Sequence, residues 1–190
     1  MKIFYSDNHF YGVEPFEDDV DKLEFGENIY YMGDIVDVKN TLKSKVFEAQ
    51  ELVAEIEKRA GDHYVSGNHE LNTRNMEHIT EDGIFLTHGD IFSYGEEGAI
   101  AWRTEKNAGK SRWFRWSLRL TKGTSYKRKK GVGTKVGNTE FKEACYKKAK
   151  EAGCHTLIIG HKHPNKLLKE VYKGITIYVL PRGRTVIEDL

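Results

Sequence analysis

Five short polar clusters built from Asp, Asn and His interrupt this chain, and four of them directly follow an apolar run of strand-forming residues. Asp7-Asn8-His9 comes after Ile3-Phe4-Tyr5, Gly33-Asp34-Ile35-Val36-Asp37 after Ile29-Tyr30-Tyr31-Met32, Thr87-His88-Gly89-Asp90 after Ile84-Phe85-Leu86, and Gly160-His161-Lys162-His163 after Leu157-Ile158-Ile159. The fifth, Gly67-Asn68-His69-Glu70, follows the weaker run His63-Tyr64-Val65. An apolar run ending in polar side chains is how a buried sheet delivers ligands to a crevice at the carboxyl ends of its strands. Five of the eight histidines fall inside the clusters, whereas His63, His78 and His155 lie outside and read as ordinary.

Between the clusters the chain alternates strand and helix signals. Leu42, Val46, Ala49, Val53 and Ile56 recur every three or four residues over 41–60, predicting an amphipathic helix capped by Asn40 or Thr41 and stopped at Gly61. A second helix is expected over 139–152, with Phe141, Ala144, Cys145, Lys148 and Ala149 on one side and Gly153 as its stop. Glu81-Asp82-Gly83 reads as a tight turn, and Ile175 to Leu180 and Thr185 to Ile187 as two further strands. The alternation predicts a layered α/β fold in one domain, a size that 190 residues fit.

Residues 91–138 break the alternation and read as an inserted cap or lid. The formal net charge is only +1, yet residues 102–135 hold twelve Lys or Arg against one acid, Glu105. All three tryptophans lie in the insertion, and Trp113, Trp116 and Leu120 share one helical face while Arg112, Arg115 and Arg119 occupy its neighbour. These arginines, with Asn8, are candidate substrate contacts. The segment suits a packed cap, an electrostatic clamp for nucleic acid, a peripheral membrane face or an anion funnel. No apolar run approaches the roughly 20 residues a membrane-spanning helix needs. The first strand begins at the amino terminus, leaving no room for a leader ahead of it, and Cys145 and Cys154 are not spaced as a metal or redox pair. A cytoplasmic address with reduced thiols is expected.

Mixed oxygen and imidazole donors suit Mn²⁺, Fe or Zn²⁺, whereas Ca²⁺ takes only oxygen and a structural zinc site favours thiolates. In order, the clusters read Asp-x-His, Gly-Asp-x-x-Asp, Gly-Asn-His-Glu, Thr-His-Gly and Gly-His-x-His, and in this they resemble the calcineurin-like metallophosphoesterase superfamily. The resemblance spans Asp7 to His163 apart from the insertion. It implies a four-layer α-β-β-α sandwich holding two divalent ions, Mn²⁺ first with Fe, Zn²⁺ or Ni²⁺ as alternatives. It gives Asp7, His9 and His163 to one ion, Asn68, His88 and His161 to the other, and Asp34 to both. The expected activity is hydrolysis of a phosphate ester by a bridging hydroxide, with His69 as general acid and Asp37 orienting it. Glu70 and Asp90 are expected to cap or to bond to ligands.

The run from His-Gly-Asp through a Trp- and Arg-bearing insertion to Gly-His-x-His is also similar to the UDP-2,3-diacylglucosamine hydrolases, which act on a lipid-linked pyrophosphate. Those enzymes carry Arg where this chain has His69, and their caps are longer. The protein serine/threonine phosphatases share Gly-Asn-His-Glu but follow the second cluster with a phosphate-gripping Arg, where this chain has Val38-Lys39. The resemblance therefore implies a phosphodiesterase or phosphatase for a nucleotide, nucleic-acid end or related anion, with a lipid-linked pyrophosphate or a non-catalytic binding role as alternatives.

Overall fold

A computed structural model describes residues 1–13, 20–70, 77–102, 109–111 and 138–190. Two sheets form its centre. In the smaller, β1 (Lys2–Ser6) lies between β2 (Ile29–Tyr31), to which it runs parallel, and β8 (Gly183–Ile187), to which it runs antiparallel. In the larger, β4 (Ile84–Thr87), β5 (Thr156–Ile159) and β7 (Ile175–Val179) are parallel neighbours, and β3 (His78–Glu81) and β6 (Leu168–Tyr172) close the edges antiparallel. The clusters that follow β1, β2, β4 and β5 therefore sit where parallel strands end.

Side-chain alternation divides the apolar residues among three cores. Tyr5 and Tyr31 pack with Ala49, Val53 and Ile56 of helix α1 (Val46–Ala60). Their strand neighbours Phe4 and Tyr30 face the opposite way, against Ile84, Leu86, Ile158 and Tyr178 of the larger sheet. Phe85, Leu157, Ile159, Ile177 and Val179 on its far side cover Cys145 and Ala149 of α3 (Thr139–Glu151). Both cysteines are buried and free, as their spacing implied.

Helix α3 begins at the predicted residue because Asn138 accepts the Phe141 N–H at 2.8 Å, but Ala144 turns to solvent. Helix α1 starts later than its apolar spacing implied. Asn40 is drawn to Asp37, and a 3-10 turn at Lys43–Lys45 precedes Val46. The His63-Tyr64-Val65 run makes no strand; it contributes one bridge, Tyr64 to Tyr31. Asp82-Gly83 forms the predicted turn, with φ of 49° and 74° in the β3–β4 hairpin. The first part of the insertion is helix α2 (Ile91–Trp102), kinked at Gly95 where φ is 71°. Arg112, Arg115, Arg119 and the tryptophan face they flank lie outside the described residues. Among the described residues no helix is long and apolar enough to cross a membrane.

Candidate metal centre

The five clusters meet in one crevice because the backbones of their loops are tied together. Asp7 N–H donates to the Gly33 carbonyl at 3.1 Å, His9 N–H to Asp34 at 2.9 Å and Gly160 N–H to His88 at 3.0 Å. Gly160 fits this junction for lack of a side chain: a Cβ there would strike Ser6 Oγ and lie 2.8 Å from Asp7 Oδ2. Gly67 is equally constrained, since a Cβ would run into the Asp34 amide and carboxylate.

Two groups of donor atoms result. In the first, Asp7 Oδ1 lies 2.7 Å from His163 Nε2 and 4.0 Å from His9 Nε2. In the second, His88 Nε2 faces Asp34 Oδ2 at 3.3 Å, Asn68 Oδ1 at 3.3 Å and His161 Nδ1 at 3.2 Å. Asp34 Oδ2 stands between the groups, 4.0 Å from His9 Nε2. Within the trios Asp7-His9-His163 and Asp34-His88-His161 all ligand atoms lie within 4.8 Å of one another. The structure thus brings the seven residues named for metal binding into one crevice.

Backbone conformation singles out the same residues. Asp7, His9, Asp34, His161 and His163 all adopt positive φ, between 47° and 61°. An L-residue in this region costs roughly 1–3 kcal/mol unless surrounding structure over-determines it, and such residues gather at functional sites. Here the strain turns five side chains toward one point.

Burial and charge act against each other in this crevice. Burial alone would raise the Asp34 carboxyl, but His88 and His69 hold it well below the carboxylate range. Burial likewise opposes ionisation of Asp7, and His163 and His88 overcome it. His88 is pulled down by burial yet raised to about 10 by Asp34, while His161 is pushed down to about 3 by burial and the neighbouring His88 cation. His88 Nδ1 donates to the Met32 carbonyl at 2.8 Å, which leaves Nε2 as the atom turned into the crevice.

A third trio, His9, Asp37 and His69, is built differently. His69 Nδ1 lies 2.8 Å from Asp37 Oδ1, and the ring keeps about a fifth of its surface exposed. Burial lowers its affinity for a proton, but Asp37 and Asp34 outweigh that and raise its pKa. Asn40 was missed from sequence: its N–H donates to Asp37 Oδ1 at 2.8 Å, its amide to Asp37 Oδ2 at 3.0 Å, and that amide also lies 3.0 Å from His69 Nδ1. Its place three residues after Asp37 is the side-chain-to-backbone pattern that could have identified it.

Glu70 fulfils the supporting role expected of it. Its buried carboxylate accepts N–H bonds from Asp34, Ile35, Val36 and Gly67 at 2.6–3.1 Å, fastening the second cluster to the third. Burial and the Asp34 charge push it up to about 7. Asp90 Oδ1 accepts the Ile91 N–H at the start of α2. Arg182, unremarked in the sequence, donates to the Asp7 carbonyl at 3.1 Å. Asn8, the candidate substrate contact, is buried, and among the described residues neither its amide oxygen nor its nitrogen has a hydrogen-bond partner.

No family model matches this chain, and no curated protein matches it. Among solved structures, one of a cold-active protein tyrosine phosphatase superposes with a TM-score of 0.44 at 14% identity, over 93% of this chain and 68% of that one. The likeness is too loose to carry an activity from one chain to the other.

Proposed function

We propose that this protein is a dinuclear metal-dependent phosphoesterase of the calcineurin-like kind. The observation that carries the reading is the pair of donor trios, Asp7-His9-His163 and Asp34-His88-His161, with five of their six residues in left-handed backbone. The stacking of α1, the smaller sheet, the larger sheet and α3 around three cores supports the four-layer sandwich of that superfamily.

The donor chemistry fits divalent ions. Carboxylate and amide oxygens mix with imidazole nitrogens, no thiolate takes part, and the Nδ1–H of His88 is already committed to a carbonyl. Asp7, His9 and His163 would hold one ion, Asn68, His88 and His161 the other, and Asp34 both, with Mn²⁺ the first choice. When bound, such a pair lowers the pKa of water and draws charge from a phosphoryl oxygen.

The chain's own residues supply the rest. His69 sits at the exposed side of the crevice with its Nδ1 engaged by Asp37, so its Nε2 proton is available to a departing alkoxide or phenoxide. Asp37, held by two bonds from Asn40, fixes the ring and favours its protonated form.

The reading is tested by assaying a chromogenic phosphodiester and a phosphomonoester with Mn²⁺, with and without chelator. Hydrolysis of at least one ester that chelator abolishes and Mn²⁺ restores is expected. Turnover of neither, with metal demonstrably bound, would leave a binding protein in place of an enzyme.

A further inference from the structure

We propose that Lys110 builds, with Lys39, a cationic subsite on the leaving-group side of the crevice, so that preferred substrates carry an anionic group on the part that departs. The inference rests on the hydrolase reading and refines its substrate class. Its starting point is the one internal stretch of the insertion, residues 109–111, that the described structure includes beyond α2.

This strap lies against the loop that follows the second cluster. Gly109 N–H donates to the Val38 carbonyl at 3.1 Å, Lys110 N–H to Thr41 at 2.6 Å, and Lys43 N–H to Lys110 at 3.1 Å, with Lys110 bridged to Leu42. The loop is the one that holds the proposed acid: Asp37 and Asn40 contact the His69 ring, and Lys39 N–H donates to the His69 carbonyl at 3.2 Å. Lys39 and Lys110 are both half-buried. Residues 109–111 of the insertion therefore lie against the loop that carries Asp37, Lys39 and Asn40.

Two further observations agree. Burial depresses the Lys39 ammonium, Asp34 and Asp37 favour it, and the Lys110 charge opposes it, so Lys39 lies within electrostatic reach both of Lys110 and of the carboxylate that holds the acid. The docking is also specific in shape. Gly109 has a φ of 69°, and a Cβ there would lie 2.6 Å from Val46 Cγ2 and 3.1 Å from Lys43 Cα, so only glycine lets the strap settle onto the start of α1. A proton donor faces the leaving atom by its role, and cations grouped around the donor meet whatever that atom carries. A pyrophosphate, or an ester of an already phosphorylated alcohol, answers that description; a neutral alcohol does not.

The test compares the Mn²⁺-loaded protein on two esters of one phosphoryl group, phenyl and 4-carboxyphenyl, whose leaving groups have similar basicity and differ in charge. Wild type should favour the charged ester by about tenfold in kcat/KM, expressed in KM and fading with added salt. Lys39→Met and Lys110→Met should each bring the ratio of the two values toward one. Gly109→Ala should do the same without removing any charge, because it lifts the strap. Equal kcat/KM for both esters in wild type, or a ratio that survives all three substitutions, overturns the subsite alone. Absence of turnover on either ester removes the hydrolase reading and the subsite with it.

Discussion

Left-handed backbone occurs at both ends of the sheets in this molecule, for different reasons. In the β3–β4 and β6–β7 hairpins, Asp82-Gly83 and Lys173-Gly174 take positive φ because a two-residue turn between twisted strands demands it. At the opposite end, Asp7, His9, Asp34, His161 and His163 do so with no hairpin to close. Their conformation is imposed from a distance, by bonds such as Asp7 N–H to Gly33 and His161 N–H to the Asp7 carboxylate at 2.9 Å. The first kind of strain belongs to the local chain and the second to the assembled site.

The strongest way to break that contrast is Asp34→Ala, which removes the carboxylate proposed to serve both ions. Both ions should be lost and kcat should fall by about 10³-fold or more, an effect no hairpin substitution matches. Elemental analysis of the purified variant decides the matter: a full metal complement would refute the bridging role.

His69→Ala should be nearly as damaging, lowering kcat by about 10²- to 10⁴-fold, yet metal content should be unchanged. A companion variant addresses pH. Burial lowers the pKa of His69, but Asp37 and Asp34 outweigh it and raise it above its ordinary 6.5, so the proposed acid keeps its proton to higher pH than a free imidazole and activity should decline as pH climbs through the raised value. Their attraction also stabilises the fold fully below about pH 6.5, and that contribution is lost over the same rise. Asp37→Asn should move the alkaline limb of the rate profile to lower pH. An unmoved limb in that variant would assign the titration to another group.

The smallest effect sharpens the comparison most directly. Gly160→Ala forces a methyl group onto buried Ser6 and Asp7, and should cost about 3 kcal/mol in urea denaturation and weaken metal binding. Gly174→Ala meets nothing within 4 Å and pays only for its φ of 82°, about 1 kcal/mol, with metal binding untouched. Equal losses would mean that both ends of the sheets are strained in the same way.

Legibility from sequence divides along similar lines. Strands β1, β2, β4, β5 and β7 could be read because each is buried on both faces and therefore apolar throughout or nearly so. The edge strands β3 and β6 could not. His78 and Thr80 of the former and Lys169 and Val171 of the latter face solvent, so little burial marks either strand, and their pairing with β4 and β7 defines them. Asn40 was read as a helix cap because Asn favours that position, yet the Asp37 carboxylate competes for its N–H and amide and wins.

By itself the sequence determined the chemistry on offer: which side chains can ligate, and that most of them follow strands. These are properties of residue type and near-neighbour order, and they survive without coordinates. Only the tertiary structure decided which donors face each other, that Asp34 lies between His88 and His9, that Asn8 is buried, and that residues 109–111 lie against the loop after Asp37. Those facts depend on contacts between residues as much as 156 positions apart, His163 to Asp7 for one, where nothing in the local chain records the distance.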